Sequence, residues 1–306
     1  MTLSCYCLKQ INGLILDNNS EKQGVNEPEL RLAFINYITS DSQIMKASAI
    51  ANHENSFQST GLDSDGKKFI LTDGTFKISG TEETIQIMNC VRDNGDKSFF
   101  YPEETFKKKI ALHFTMGYLK GDIATLTKQY VSVPFVIGRN GLIYNLFASK
   151  YWSYHLGKTA VGGNTPMSKE CVGIEISNIG PLKLIGNNLV TTYSDTDVYC
   201  TTAETEFYTR LNSKYRGYDY YATYTNAQYE AIGKLIKFLC AKYNIPKNFL
   251  FEPDRYEIMT EPGFKNFSGI VTHVNCRTDK TDIGPAFEWE KVINMVNSLE
   301  IRQVLA

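Results

Sequence analysis

Three short segments of the chain carry side chains that could bind a metal ion and use it. They are ALHFTMG around His113, VGIEISN around Glu175, and HVNCRTDKTDIGP beginning at His273. An open catalytic zinc site takes three nitrogen, oxygen or sulfur ligands from the protein and leaves its fourth position to water. His113, His273 and Asp282 could fill those three positions. Glu175 and Lys280 would then remain for the chemistry, and this set is typical of a zinc hydrolase.

The identity of the metal follows from the donor atoms of this set. Two imidazole nitrogens and one carboxylate oxygen, with one position left open, favour zinc. The same donors can also suit non-haem iron, which stays open as an alternative. We therefore predict Zn²⁺ as the cofactor.

The composition is that of a globular protein without a strong charge preference. The chain has 306 residues, of which 42% are hydrophobic, so it can bury a core in one large domain or two ordinary ones. Its 32 basic and 33 acidic side chains give a formal net charge of -1. Such a chain has no overall field that attracts nucleic acid or an anionic membrane. We expect neither nucleic-acid binding nor membrane insertion, and the sequence does not set the oligomeric state.

The amino-terminal segment lacks the features of an export signal. It has no basic n-region, and Asn12 and Gly13 interrupt its apolar run from Ile11 to Leu16. That run is too short for a signal peptide or a membrane span. Seven cysteines without a framework spacing favour reduced thiols. We expect a soluble chain that is made in the cytoplasm without a signal peptide.

The apolar pattern divides the chain near residue 104. Residues 1–104 contain a helical segment, ELRLAFINYI, followed by two short strands around an Asp73-Gly74 turn and a helix that begins at Thr81. This pattern predicts a small α+β N-terminal module of unknown role. Residues 105–306 would form the larger domain.

In the larger domain, three predicted strands lead to the candidate site residues. KKIALHF ends near His113, CVGIEISN carries Glu175 opposite its apolar residues, and GIVTH ends in His273. A capping box at Thr225 begins a core helix, and Pro285 opens a C-terminal helix. Strands mixed with helices predict an α/β fold in which helices cover a central sheet.

A polar stretch at about residues 180–224 interrupts this pattern. It is rich in Thr, Asn, Asp and Tyr and has low apolar periodicity, so we predict a long insertion. Five tyrosines lie between Tyr215 and Tyr224. These rings could stack on sugars or could pack the insertion onto the domain, and packing is the favoured interpretation.

Five segments, taken in order, resemble a known family. ALHFTMG, FVIGRNGLIYNLF, YHLG at residues 154–157, VGIEISN and KTDIGPAFEW resemble the zinc-dependent N-acetylmuramoyl-L-alanine amidases. This group includes AmpD-type amidases, amidase-type phage lysozymes and peptidoglycan recognition proteins. The resemblance covers residues 107–300 apart from the insertion. It implies the amidase type 2 fold, a central mixed β-sheet flanked by helices.

The resemblance also implies a role for each residue of the candidate site. Carried over position by position, it implies that His113, His273 and Asp282 bind zinc. It makes Glu175 the general base and Lys280 the cation that stabilises a tetrahedral oxyanion. The zinc would activate water and polarise the amide carbonyl.

Two further positions match the family, and two depart from it. His155 in YHLG matches a family histidine near the substrate cleft, and Asn178 follows the catalytic strand. We predict that both bind substrate, with shaping of the turn as the alternative for Asn178. Pro134 stands where a histidine is common, so we expect an edge strand or altered local pairing there. Val133 replaces a tyrosine that phage-lysozyme members use, so the chemistry would depend on Glu175.

The function that the resemblance implies is hydrolysis of the amide between N-acetylmuramic acid and L-alanine in peptidoglycan or muropeptide. The extra module, residues 1–104, favours a phage-type endolysin in which this module binds the wall or attaches to the virion. A cytoplasmic amidase that recycles muropeptides is an alternative. Two others are a non-catalytic peptidoglycan-binding protein and a zinc hydrolase of another amide. Because all three ligand positions are retained, the non-catalytic alternative is disfavoured.

Overall fold

The centre of the fold is a seven-stranded sheet in a computed structural model that describes residues 45–304. Its strands are β1 (Phe69–Lys77), β2 (Thr84–Arg92), β3 (Lys109–Phe114), β4 (Phe135–Ile137), β5 (Ile143–Asn145), β6 (Cys171–Ile176) and β12 (Gly269–Thr272). Their order across the sheet is β1-β2-β5-β4-β6-β3-β12. β4, β6, β3 and β12 are parallel to one another, β5 and β2 run in the opposite direction, and β1 reverses again. The predicted α/β fold with a central mixed sheet is therefore confirmed.

The sequences of the inner strands account for their position. All six residues of β3 are buried, and β6 is buried apart from the partly exposed Glu175. Parallel strands that are covered on both faces carry nearly continuous apolar runs, as KIALHF and CVGIEI do. Leu112 and Ile174 join one core cluster. Because side chains alternate along a strand, His113 and Glu175 point to the other face.

Helices cover both faces of this sheet. On one face lie α4 (Asn226–Tyr243) and α6 (Trp289–Val304), whose apolar residues share a core cluster with the strands. On the other face, Phe57 and Ile123 pack against strand residues. They belong to α1 (Met45–Thr60) and α2 (Leu119–Leu126). Two shorter helices are α3 (Asn164–Glu170) and α5 (Glu261–Asn266), and single 3-10 turns span Pro253–Tyr256 and His273–Asn275.

The predicted start of α4 is confirmed, and the predicted start of α6 is wrong. The Thr225 hydroxyl accepts a hydrogen bond from the Gln228 N–H at 3.0 Å, and Gln228 Oε1 accepts from the Thr225 N–H at 3.1 Å, as a capping box requires. Pro285 does not open a helix. It lies in a turn that the Phe287 N–H closes on the Gly284 carbonyl at 3.2 Å, and α6 begins at Trp289.

The region that was predicted as an N-terminal module contributes two strands to the central sheet. β1 continues through Asp73-Gly74, so the predicted turn there is wrong, and the chain instead reverses near Gly80, which has a φ of 80°. The predicted helix after Thr81 is also wrong. Ile85 and Ile87 alternate with exposed residues in β2, which pairs with β5 through Met88. The predicted helical segment ELRLAFINYI lies outside the described residues, and the division of the chain at residue 104 stays a prediction.

The polar insertion folds into a sheet of its own. Its antiparallel strands are β7 (Pro181–Ile185), β8 (Asn188–Thr191), β9 (Val198–Thr201), β10 (Tyr208–Tyr215) and β11 (Tyr218–Ala222). Their order is β10-β11-β7-β8-β9. Leu182 and Leu189 form a small core with buried tyrosine and cysteine side chains. Short strands with a shared minor core explain why the sequence shows little apolar periodicity here.

Pro134 does not mark an edge strand, because β4 lies between β5 and β6. Pairing begins at Phe135, directly after the proline, whose carbonyl accepts from the Leu146 N–H at 2.9 Å. A proline at the first residue of a strand leaves the ladder intact.

Within residues 45–304, every helix is too short or too polar to span a bilayer.

Candidate active site

The three predicted metal ligands lie together at one edge of the central sheet. His113 is the penultimate residue of β3, and His273 follows the last residue of β12. These two strands are parallel neighbours, so their carboxyl ends meet at the same edge, where ligands bind in open α/β sheets. Asp282 reaches the same point from the loop after the His273 turn. The three side chains are buried and form a group that could hold a metal ion.

The ligand atoms of this cluster face one another at close range. The Nδ1 atoms of His113 and His273 are 3.0 Å apart. Asp282 Oδ2 lies 3.2 Å from His113 Nδ1 and 3.0 Å from His273 Nδ1. Zinc–ligand bonds of about 2.0–2.1 Å at tetrahedral angles place ligand atoms about 3.3 Å apart. Imidazole lone pairs and a carboxylate oxygen at such distances repel one another unless a cation lies between them, so the cluster fits a metal ion.

The outer nitrogens of the two imidazoles fix which nitrogen can bind a metal. His273 Nε2 lies 3.0 Å from the Leu156 carbonyl oxygen, which can only accept a hydrogen bond. Nε2 therefore carries the proton, and Nδ1 keeps its lone pair. His113 Nε2 lies 3.0 Å from His155 Nδ1. If His113 donates this bond, its Nδ1 also presents a lone pair to the cluster, an arrangement that is usual for metal-binding histidines.

The pKa values of His113 and Asp282 indicate the protonation states of these two ligands. Burial lowers the pKa of His113 to about 4, and the neighbouring His273 acts in the same direction. Burial opposes ionisation of Asp282, but the adjacent histidines, by charge and by hydrogen bonds, hold the pKa of this carboxyl well below its ordinary value. At neutral pH the cluster therefore presents a neutral His113 imidazole and a carboxylate, which are the forms that bind metals.

Glu175 lies beside the His-His-Asp cluster because of the register between β6 and β3. It pairs with His113 across the parallel strands β6 and β3. Its Oε2 atom is buried and has no hydrogen-bond partner in the structure. Burial raises the pKa of Glu175 well above its ordinary value, the charges of Asp282 and Asp122 raise it further, and Lys280 lowers it. A carboxyl with this combination of burial and charged neighbours is a candidate acid or base.

A cavity of about 640 Å³ opens onto this cluster. Its lining residues come from the segments after α2, around YHLG, at the start of α3 and in the loop after His273. They are Leu126, Val131, Ser132, Tyr154, His155, Gly157, Lys158, Asn164, Thr165, Glu175, His273, Arg277 and Lys280. A cavity of this size is in the range of small-molecule sites. The predicted catalytic pair, Glu175 and Lys280, therefore shares one cavity with a candidate metal ligand.

The two predicted substrate-binding residues occupy different positions. His155 lines the cavity, contacts His113 and leaves its buried Nε2 atom without a partner. Asn178 is buried outside the residues that line this cavity. Its amide group donates to the Thr223 carbonyl at 3.1 Å, and its Oδ1 accepts from the Gly180 N–H at 2.7 Å. These bonds join the end of β6 to the insertion, and a substrate contact for either residue stays a prediction.

A glycine provides the space for His155. A Cβ atom at Gly173 would lie 2.5 Å from Val133 Cγ1 and 3.1 Å from His155 Nδ1. The approach to Val133 is closer than real atoms make and the approach to His155 is tight, so glycine at this position of β6 leaves room for both side chains. This role of Gly173 has no local signal in the sequence, because it depends on which side chains meet across the sheet.

Asn275, which was not among the predicted residues, holds the turn that carries His273. This side chain is fully buried, and its Oδ1 accepts from the Thr272 N–H at 2.8 Å. Its Nδ2 donates to the carbonyls of Asp254 at 3.0 Å and Glu257 at 3.0 Å. The pattern Thr272-x-x-Asn275 was the available signal, since such a pair forms a capping box around the turn.

The fold and site thus define an α/β protein with a His-His-Asp cluster at the base of a cavity. The sequence profile of the N-acetylmuramoyl-L-alanine amidase family matches residues 104–285, more than half of the chain. The chain belongs to this family. No curated protein matches it.

Several solved structures of amidases are similar to the chain at low sequence identity. AmiD from E. coli, in complex with the substrate anhydro-N-acetylmuramic acid-L-Ala-D-gamma-Glu-L-Lys, is 20% identical, with a TM-score of 0.40, over 72% of this chain and 65% of AmiD. An AmpD structure is 17% identical, with a TM-score of 0.36, over 65% of this chain and 90% of AmpD. LysC from Clostridium intestinale is 15% identical, with a TM-score of 0.34, over 63% of this chain and 87% of LysC. The chain spans slightly less than two thirds of AmiD.

Proposed function

We propose that the chain hydrolyses the amide between N-acetylmuramic acid and L-alanine of the peptidoglycan stem peptide. The observation that carries this proposal is the convergence of His113, His273 and Asp282 at a cavity that Glu175 and Lys280 also line. Family membership supports the type of bond that is cleaved. The described side chains supply every group that a metal-assisted amide hydrolysis needs.

The donor set favours zinc as the cofactor. Two imidazole nitrogens and one carboxylate oxygen match the ligands of catalytic zinc sites, in which the fourth position is open. When bound, zinc supplies a Lewis acid that makes water more acidic and polarises a carbonyl group. The remaining steps fall to the protein side chains. Non-haem iron accepts the same donors and is separated from zinc by metal analysis of the purified protein.

Glu175 is proposed as the general base and then the general acid. Its carboxylate takes a proton from the attacking water while the water oxygen bonds to the amide carbon. The same proton then passes to the nitrogen of L-alanine as the carbon–nitrogen bond breaks, so Glu175 returns to its starting state. A buried Oε2 without a partner is free to receive that proton. The raised pKa of Glu175 brings its basicity closer to neutral pH.

Lys280 is proposed to stabilise the negative charge on the carbonyl oxygen. It lines the cavity with Glu175, and its charge acts on that carboxyl. A fixed cation that faces the developing oxyanion lowers the barrier because its charge is already in place. Lys280 stands two residues before Asp282, so the same loop would present both a ligand and this cation.

The charge of the cavity supports an anionic substrate. Lys158, Arg277 and Lys280 line it together with one acidic side chain, Glu175. Stem peptides carry free carboxylates, which such a cavity would attract. His155 is proposed as a further substrate contact, through its unpartnered Nε2. We propose peptidoglycan or soluble muropeptide as the substrate.

The biological setting that we propose is a phage-type endolysin. Residues 1–103 precede the segment that matches the family, and this extra length supports an attachment role. Because β1 and β2 belong to the central sheet, a truncation that tests this role should remove residues 1–44 only. Sedimentation with purified sacculi should be compared for the full chain and the truncated chain, both as the inactive Glu175→Gln variant. Equal sedimentation would remove the attachment role from these residues.

A single digest tests the proposed activity. Purified muropeptide is incubated with the zinc-loaded chain, with the chain in EDTA, and with the Glu175→Gln and His273→Ala variants, and the products are analysed by mass spectrometry. We expect the wild-type chain to release the intact stem peptide and the other three samples to release none. Binding of muropeptide without release would favour a non-catalytic peptidoglycan-binding protein. Release that survives EDTA and both substitutions would contradict the proposal.

A further inference from the structure

The insertion contacts the loop that carries two of the proposed site residues. The contact is made by the end of the β10–β11 hairpin, where Tyr215 is the last residue of β10 and Arg216 follows it. We name these two residues the hairpin tip. They meet residues 278–284, which we name the site loop because it contains Lys280 and Asp282.

We propose that the hairpin tip positions the site loop, so that the insertion determines how tightly the metal binds and where Lys280 lies. The inference rests on the proposed function only for the roles of Asp282 and Lys280. It gives the insertion a role that differs from stacking on sugars. The contacts that support it are of two kinds, one polar and one apolar.

The polar contact joins Arg216 to the backbone of the site loop. Arg216 Nη1 donates a hydrogen bond to the Thr278 carbonyl. The guanidinium is itself held in place, since its Nε donates to the Tyr215 hydroxyl at 3.3 Å and its carbon lies 5.6 Å from the centroid of the Tyr215 ring. Thr278 is two residues before Lys280, so this bond fixes the backbone at the start of the site loop.

The apolar contact joins Tyr215 to the end of the same loop. A Cβ atom at Gly284 would lie 2.8 Å from Cε1 of Tyr215, so glycine is required for the ring to pack against the backbone there. The ring also lies edge-on to Tyr256, with centroids 5.9 Å apart. Tyr221 also contacts the hairpin tip, because its hydroxyl donates a hydrogen bond to the Tyr215 carbonyl at 2.9 Å.

The two contacts bracket Lys280 and Asp282 in the sequence. At the start of the site loop, Arg277, the residue before it, pairs with Asp279. On the inner side, the Val274 N–H donates to the Asp282 carbonyl at 3.0 Å. The hairpin tip therefore supports the outer side of a segment whose inner side is bound to the His273 turn. A displacement of about 1 Å in such a segment can reduce a rate about 100-fold.

The experiment compares two variants of Arg216 with a matched control in the full chain. Arg216→Ala removes the bond to Thr278, whereas Arg216→Lys keeps a donor that can reach the carbonyl. The control is Arg210→Ala, because Arg210 lies on β10, the strand that leads to Arg216, and packs over Tyr220 at 5.8 Å, within the insertion. Zinc affinity is measured by competition with a chromophoric chelator, and kcat and KM are measured separately on muropeptide.

We expect Arg216→Ala to weaken zinc binding and lower kcat, each about 10-fold, with a smaller change in KM, as for other residues that orient metal ligands. Arg216→Lys should restore most of both losses, and Arg210→Ala should match the wild-type chain. Wild-type zinc affinity in Arg216→Ala would overturn the inference, as would equal losses in Arg210→Ala. A chain that binds zinc but releases no stem peptide would contradict the proposed function. The predicted loss of zinc affinity in Arg216→Ala would still stand in that case. A wild-type chain that binds no zinc would overturn both.

Discussion

At the scale of single residues, the hydrogen bonds of the histidines determine which atoms face the cluster. The His273 proton is fixed by the Leu156 carbonyl, whereas that of His113 depends on its contact with His155. The sequence could identify His113 and His273, because both end apolar strands. It could not identify the contact between His113 and His155, which depends on the missing side chain of Gly173.

A substitution of His155 tests whether it orients His113. We expect His155→Ala to retain one zinc per chain but to bind it about 10- to 100-fold more weakly, the range seen when the partner of a ligand is lost. His53→Ala is the matched control, because His53 stacks on Tyr118 at 5.1 Å and contacts none of the ligands. Both affinities can be measured by chelator competition. Unchanged affinity in His155→Ala would show that the contact does not matter for metal binding.

The buried carboxyl of Asp122 should make stability depend on pH. Burial raises the pKa of Asp122 to about 6, although the Ser177 hydroxyl, which donates to it at 2.6 Å, lowers it. The folded state therefore binds more protons than the unfolded state between about pH 4 and pH 6. The stabilisation from this group is present below pH 4 and is lost as the pH rises through 6.

Asp122→Asn removes this dependence because the amide does not ionise. The stability of the variant relative to the wild-type chain should increase by about 2 kcal/mol between pH 4 and pH 7, since one pKa unit corresponds to about 1.4 kcal/mol. Denaturant unfolding at several pH values measures this difference. Asp219→Asn, at an exposed carboxyl paired with Lys214, is the control and should show no such trend. A difference that stays constant with pH would contradict the assignment.

At the scale of elements, strands and caps that depend on local sequence were predicted well. β3, β6 and the capping box of α4 have continuous apolar runs or a defined spacing of polar residues, and they lie where the sequence places them. β2 was predicted as a helix because Ile85 and Met88 fit a helical spacing, whereas Ile85 and Ile87 fit the strand that forms. Short apolar segments suit both periods, and pairing with β1 and β5 decides between them.

The turn that carries His273 is held by the side chain of Asn275. Asn275→Ala removes the acceptor of the buried Thr272 N–H and the side-chain donor to the carbonyls of Asp254 and Glu257. We expect a loss of about 3 kcal/mol in the free energy of unfolding, because buried polar groups are left unpaired. Denaturant unfolding of the metal-free chain measures it.

The control for this variant is an asparagine with a similar but exposed bond. Asn248 Nδ2 donates to the Ser268 carbonyl at 3.1 Å. Asn248→Ala should cost less than about 1 kcal/mol, since water can replace an exposed partner. Equal losses in the two variants would show that Asn275 does not have the special role that its buried bonds suggest.

At the scale of the whole molecule, the sheet brings together residues that are distant in sequence. The α/β class and the position of the ligands at strand ends could be predicted, because parallel strands with helical connections share a direction. The order of the strands could not, and neither could the participation of β1 and β2 in the central sheet. Those features depend on pairing between segments that are distant in sequence, and no local pattern of residues predicts which segments pair. The contact of the insertion with the site loop depends on such pairing as well.

Metal binding should stabilise the whole fold, because the three ligands come from distant parts of the chain. A ligand that binds only the folded state at 100 times its Kd adds about 2.7 kcal/mol of stability. We expect zinc to raise the midpoint of thermal unfolding by several degrees and EDTA to reverse the change. The Asp282→Ala variant should show neither effect. A rise of equal size in that variant would place the zinc elsewhere.

The measurement that tests the proposed metal site most directly is zinc X-ray absorption on the loaded chain. Cys276 is the nearest thiol in sequence to His273, but its Sγ donates to the His273 carbonyl at 3.3 Å, and burial raises the pKa of this thiol. We therefore predict a first shell of nitrogen and oxygen atoms at about 2.0–2.1 Å, with the multiple scattering of two imidazoles. A sulfur shell at about 2.3 Å, or a spectrum that is unchanged in the His273→Ala variant, would contradict binding by His113, His273 and Asp282.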